Sequence, residues 1–287
     1  MASTPPKQHN VPAHVLSIKE ILSGYDAVAS LYPYIPPLSH WRAWEYAAYK
    51  HHRIGGRVLD VGCGDGRYFK LIWPRADNVV GVDMDANVAE RGRQSGVYRT
   101  VHTTTADRIP EEPNSFDSAF ANCSLEHMDN IAGVLGEISR CLKPGGVLSC
   151  SVVTNRLVEW SLLPSMVSEA GFDQAAAQLQ ADFLEYHHLE NPLQVDVWTE
   201  QFNQAGLIVE SHIPILPRYS SGLFVLMDTL WHVKRKGGGE FGDLIYPVLS
   251  SNPKFPSAFR KIMEGMLEME QDWTDCTGAV FSVRKPK

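Results

Sequence analysis

The stretch that most constrains this chain is VLDVGCGDGRYF, running from Val58 to Phe69. An apolar run carrying one acid breaks into three glycines at alternate positions, Gly62, Gly64 and Gly66, and then resumes a helical spacing. Glycine in such a turn lets backbone approach a ligand closely. The alternation continues downstream. Strand-like runs RVLDV, NVVGVD, YRTVH, FDSAFAN and GVLSCSVV are separated by helical patterns GRYFKLIW, ANVAERGRQ and NIAGVLGEISRCL. Near-continuous apolar strands alternating with helices predict an α/β fold, with a mostly parallel sheet covered on both faces. KPGG reads as a breaker that returns the chain into the fifth strand.

Around this core the chain divides into expected regions. Residues 1–14 are polar and Pro-rich and read as disordered. Residues 15–56 form a helical cover, in which Pro33, Pro36 and Pro37 forbid one continuous helix. Residues 57–156 carry the core pattern, and 157–196 read as a helical lid insertion. Residues 197–287 end the sheet with the strands LIVESHI and GAVFSVRK, separated by a long helical insertion over about 214–276. That connection far exceeds ordinary loop lengths. The expectation is therefore a seven-stranded sheet with a helical lid built from separate insertions.

Composition narrows the function classes. A net charge of -7 makes nucleic acid a poor partner. The five cysteines are scattered with no CxxC pair, which argues against a disulfide framework or zinc site and for a reducing cytoplasm. The N-terminal stretch has no apolar core typical of a secretory signal, and the longest apolar run is too short to span a membrane. A homo-oligomer formed through the lid or the N-terminal helices is compatible with the pattern.

The glycine turn sits where a strand hands over to a helix, a place suited to an anionic group. A dinucleotide enzyme uses GxGxxG there, whereas this spacing is GxGxG with Asp60 and Asp65 flanking it. Two acids suit a ligand that carries an ammonium group beside its carboxylate. S-adenosylmethionine (SAM) has both, and Asp83, at the end of the second strand, stands where an acid reaches ribose hydroxyls. Together, VLDVGCGDG, VVGVDMD, RIPEEPNSFDSAFANCSLEHM and LKPGGVL resemble the successive motifs of class I SAM-dependent methyltransferases. More narrowly, they resemble the small-molecule branch with LEH after the fourth strand, over roughly Arg57 to Val153.

The resemblance implies a Rossmann-like sheet with SAM as cofactor. It implies that Asp60, Gly62, Cys63, Gly64 and Gly66 meet the methionine portion, Asp83 the ribose, and Met84 the adenine face. Thr105, Ala106 and Asp107 fall at the adenine edge, and Asn122 at the pocket floor. One departure stands out: family members carry an acid five residues before the proline matching Pro110, and here that position is Thr105. Asp107 or a backbone carbonyl then takes the adenine amine.

For chemistry, a hydroxyl or enolisable carbon acceptor needs a base. His127, just beyond the fourth strand, is the first candidate, against a merely structural histidine. Its neighbour Glu126 is a second, against a carboxylate that simply faces solvent. The lid segment LEYHHLENP offers Tyr186, His187 and His188, of which adjacent histidines cannot both face inward. Tyr25 is the aromatic candidate for covering the sulfonium, with Tyr34, Tyr186 and Tyr219 as acceptor contacts. NCSLEH replaces the NPPY-like segment of base-amine methylating enzymes, and no clustered acids suggest a metal. The sequence predicts methyl transfer to O, C or N of a partly apolar small molecule. A nicotinamide-dependent oxidoreductase and a non-catalytic SAM-binding module are the alternatives.

Overall fold

A computed structural model describes residues 11–287. Seven strands form one sheet: β1 (Val58–Val61), β2 (Val79–Asp83), β3 (Thr100–Thr103), β4 (Phe116–Asn122), β5 (Leu142–Val153), β6 (Ile208–Ile215) and β7 (Gly278–Arg284). Their order is β3-β2-β1-β4-β5-β7-β6. Pairing is parallel from β3 to β5, and β7 lies antiparallel between β5 and β6. This is the Rossmann-like α/β architecture expected, and the order reverses between β1 and β4. Ligands of such sheets bind at that switch point, beyond the carboxyl ends of the strands.

The helices are α1 (Ile18–Val28), α2 (Pro36–Tyr49), α3 (Arg67–Ile72), α4 (Ala86–Gln94), α5 (Ile131–Cys141), α6 (Arg156–Glu159), α7 (Leu162–Glu169), α8 (Asp173–His187), α9 (Val195–Gln204), α10 (Arg218–Trp231), α11 (Gly242–Ser250) and α12 (Phe255–Met269). On one face, Val134, Leu135 and Ile138 of α5 and Trp198 and Phe202 of α9 pack on Leu59, Ala119, Leu148 and Phe281. On the other, Trp44 and Tyr49 of α2 and Phe69 of α3 pack on Val58, Val79 and Phe120. Burying each large apolar side chain contributes about 1.5–3 kcal/mol, so both faces stabilise the sheet. Helices α6–α8 interrupt the chain after β5, and α10–α12 fill residues 216–277 between β6 and β7.

Local chemistry sets several boundaries. Ser17 and Glu20 form a reciprocal capping box at the start of α1. Helix α2 begins at Pro36, because a proline in the first turn forfeits no hydrogen bond.

KPGG does not precede β5 as the sequence suggested. Leu142 already pairs with Phe116, and the register then jumps to Ser118 opposite Val147, so Lys143–Gly146 bulge out of the ladder. Gly145 makes this possible with φ of 80°, and its N–H donates to the Lys285 carbonyl.

Of the segment expected to be disordered, residues 1–10 lie outside the described residues, but Ala13 bridges His212 at the sheet edge. All five cysteines are free. Among the described residues no helix is long and apolar enough to cross a membrane.

Candidate functional site

The glycine turn is held from below. The amides of Gly62 and Cys63 donate to the Val82 carbonyl at 2.8 and 3.0 Å, and that of Gly64 to Asp83 Oδ2 at 3.1 Å. All three glycines have positive φ, between 57° and 76°. A Cβ on Gly62 would lie 2.6 Å from Ser124 Cβ, and one on Gly66 would lie 2.7 Å from the Tyr98 ring. A Cβ on Gly64 would meet nothing within 4 Å. The outer two glycines are thus required by packing inside the protein, and Gly64 alone opens onto space a ligand can enter.

Asp60 is buried beneath the turn, not displayed on it. Its Oδ2 lies 2.7 Å from Tyr98 Oη, which is also 2.8 Å from the Cys63 carbonyl. Burial pushes its carboxyl up to about 7. Tyr98 has one proton and two acceptors; a protonated Asp60 that donates to Tyr98 leaves the phenol free to donate to Cys63 O. Cys63 turns its Sγ back onto Gly81. In this geometry Asp60 and Cys63 shape the turn from within.

Asp83 is half-buried at the end of β2, and its Oδ1 accepts from Asp85 N–H at 3.0 Å. Met84 beside it is 75% exposed. Across the crevice, Asn122 ends β4 with its Oδ1 buried and without a protein partner. Thr105 is exposed, whereas Ala106 and Asp107 are half-buried. Hydrogen bonds from Thr105 and Asn130 hold the Asp107 carboxyl below the usual range.

Beyond β4 the chain makes a 3-10 turn over Leu125–His127. Glu126 does not face solvent. Its side chain is fully buried and both carboxyl oxygens lack hydrogen-bond partners. The reason is non-local: the amides of Glu190 and Asn191 donate to the Glu126 carbonyl and lay the end of the α8 connection across it. Burial pushes this carboxyl up. His127 is half-exposed, with Nδ1 3.1 Å from the His188 carbonyl and Nε2 3.9 Å from Glu126 Oε1.

The lid separates the adjacent histidines. His187 ends α8 with Nε2 2.8 Å from Asp228 Oδ2, while His188, at φ of 48°, turns outward. Asp228 Oδ1 is also 3.6 Å from His232, which meets Glu240 at 2.8 Å and the Tyr186 hydroxyl at 2.5 Å.

Tyr25 does not cover the crevice. It is buried between α1 and α12, donating to the Pro256 carbonyl at 3.0 Å, and burial pushes its phenol up to about 12. Tyr34 lies edge-on to Tyr246. Tyr219 is partly exposed, and its amide donates to Glu270, which caps α10.

Cys123, Glu45, Tyr98, Asp228 and Glu240 escaped sequence reasoning. Beside Asn122, Cys123 has φ of 44° and its thiol donates to Glu45 Oε1 at 3.1 Å. Trp41 Nε1 donates to the same sulfur. Glu45 also accepts from Ser151 at 2.6 Å and pairs with Arg42 at 2.6 Å. An R-x-x-E spacing on a helix with a strand-end Cys was the only local signal, and it is a common one. Tyr98, Asp228 and Glu240 had none.

The family described as "Methyltransferase domain" matches residues 59–150. Over 185 residues the chain is 31% identical to the ubiquinone biosynthesis O-methyltransferase of Hahella chejuensis, covering 62% of this chain and 76% of that relative. The chain belongs to the class I SAM-dependent methyltransferases. It is also 30% identical over 142 residues to the demethylmenaquinone methyltransferase of Symbiobacterium thermophilum, covering 46% of this chain but spanning only 55% of that relative's length. A SAM-dependent methyltransferase of Thermotoga maritima shares the fold, with a TM-score of 0.52 at 18% identity over 93% of this chain and 98% of that one.

SAM is the cofactor of this family, and the residues present fit it. The open flank of Gly64, the unpartnered Asn122 Oδ1 and the carboxylate of Asp83 lie at the carboxyl ends of β1, β4 and β2, the side on which such sheets bind ligands, and Asn122 Oδ1 lacks a donor that a ligand can supply.

Proposed function

We propose that the chain transfers a methyl group from SAM to a hydroxyl oxygen of a partly apolar small molecule of quinol or phenol type. The observation that carries this reading is the arrangement of His127. A carbonyl only accepts hydrogen bonds, so the contact with His188 O assigns the proton to Nδ1 and leaves the Nε2 lone pair available. His127 Nε2 takes the acceptor proton as the new bond forms. A carboxylate at Glu126, whose Oε1 lies 3.9 Å from that nitrogen in a water-poor setting, stabilises the imidazolium as it forms.

SAM, when bound, supplies an electrophilic methyl group on a sulfonium. Asp83 and the loop orient that end of the reaction, and the lid excludes water. Trp41 and Phe224, with ring centroids 5.0 Å apart between the end of β4 and the lid, supply an apolar wall for the acceptor. The names of the two sequence relatives support a quinone-type acceptor. His187, held by Asp228, is a second base for an acceptor bound further under the lid.

The test combines calorimetry with product analysis. SAM and S-adenosylhomocysteine should bind the wild type and fail to bind Asp83→Ala. Labelled methyl should reach phenolic hydroxyls in a panel that also offers amines and enolisable carbons. His127→Gln should lower kcat by about 10²–10⁴-fold with homocysteine-product affinity unchanged. Cofactor binding without transfer to any acceptor would make the chain a binding module. Binding of NADH instead would give the loop to an oxidoreductase.

A further inference from the structure

We propose that His14, Glu20 and His51 form a binding site for one divalent transition-metal ion of the zinc type, on the outer side of the N-terminal cover. This departs from the expectation of no metal, which rested on the absence of paired cysteines and of clustered acids near the acceptor and did not weigh histidine–carboxylate sets elsewhere. One ligand atom from each of the three residues lies within 4.8 Å of the other two. His51 Nε2 is 2.8 Å from Glu20 Oε1, and the His14 and His51 ring centroids are 4.3 Å apart. A tetrahedral zinc ion with bonds of about 2.0–2.1 Å sets its donors roughly 3.4 Å apart. Receiving one takes a small opening of the His51–Glu20 contact and an adjustment of the His14 ligand atom, which lies within 4.8 Å of the other two. Two imidazoles and a carboxylate are a donor set that zinc and cobalt accept, with a fourth position left for water.

The three donors come from separate elements, each fixed by other bonds. Glu20 Oε2 is clamped by the amide and hydroxyl of Ser17 at 2.8 and 2.6 Å, which leaves Oε1 to face the histidines. His14 is tied to the sheet edge, its amide donating to His212 O while His212 N–H donates to Pro12 O, each at 3.0 Å. His51 follows the last turn of α2, with its amide on the Ala48 carbonyl. Outer hydrogen bonds of this kind orient metal ligands and strengthen binding. An ion here would cross-link the strap at residues 12–14 to both helices of the cover, α1 and α2. The second trio, Asp129, His188 and Glu190, is exposed at all three positions and has no comparable clamp.

Cobalt titration of the metal-stripped full chain, followed by visible absorption, tests the proposal. One equivalent should develop the bands of tetrahedral cobalt and be displaced by zinc, with affinity rising with pH as the imidazoles lose their protons. His14→Ala and His51→Ala should each weaken binding by about 100-fold, and Ser17→Ala by about 10-fold. His188→Ala should leave cobalt binding unchanged. Homocysteine-product binding of each variant reports whether it has folded. His14→Ala, on the exposed strap, keeps the test valid if His51→Ala does not fold. No saturable binding, binding that survives His14→Ala, or binding lost in His188→Ala would each overturn the proposal.

Discussion

The cofactor crevice and the lid are built on opposite plans. In the crevice, charged groups are few, mostly covered, and held one by one: Asp60 by Tyr98, Asp83 by two amides, Glu126 by burial alone. Two of its three glycines would collide with fixed neighbours if they gained a carbon. In the lid, titratable groups bond mainly to one another, as in the network of Tyr186, His187, Asp228, His232 and Glu240. Large apolar side chains there, including Met166, Phe172, Leu230 and Val248, remain exposed. Packing fixes the first region, and polar links join the second. Substitutions of the packed residues beneath the crevice should therefore act mainly on stability, and those in the polar network of the lid on acceptor handling.

The largest expected effect concerns Asp60. Its folded carboxyl is pushed up to about 7, so between about pH 4 and pH 7 the native state keeps a proton that the unfolded chain has released. Raising the pH through that window therefore removes stability, by an amount on the order of 4 kcal/mol. Urea melts across the range should show this decline in the wild type and a flatter profile in Asp60→Asn. Equal slopes would mean that the crevice does not bury its acid as described.

Next in size is Gly62→Ala, which adds a clash with Ser124 to an unfavourable φ. A loss of about 2–4 kcal/mol in chemical denaturation is expected.

In the lid, Asp228→Asn weakens the support of His187 and His232. A fall of about tenfold in kcat/KM for the acceptor is expected, with homocysteine-product affinity and melting temperature nearly unchanged. A larger effect on stability than on turnover would collapse the distinction between the regions.

The smallest effect is Gly171→Ala, where φ is 86° but nothing lies within 4 Å of the added carbon. Only the backbone penalty remains, about 1 kcal/mol by differential scanning calorimetry.

The same division decides what the sequence could reveal. The strand-like runs and the glycine turn carry their structure locally, because a strand buried on both faces must be apolar throughout and a positive φ needs glycine. Side-chain orientation at the site depended on segments far away in the chain. Glu126 looked like a solvated charge until residues 190 and 191 closed over it. Tyr25 looked free to cover a ligand until α12 presented the Pro256 carbonyl. The bulge at Lys143–Gly146 depends on pairing with Phe116 and contact with Lys285, neither of which a local breaker pattern encodes. The sequence pattern likewise marked residues 157–196 and 214–276 as helical insertions without saying that His187 and Asp228 would meet.

The position of β7 has a consequence for how the molecule comes together. This strand occupies the slot between β5 and β6 and pairs with both along its length, yet it follows all of α10, α11 and α12 in the chain. During synthesis β6 therefore emerges with only the bridge to Ala13 to pair with, and β5 with one edge bare, while the whole third insertion is made. Until Gly278–Arg284 arrives, two apolar strand edges stay open to wrong pairing. Insertion of that strand is a long-range, late closure event, the sort of step that slows folding and gives a chaperone something to hold.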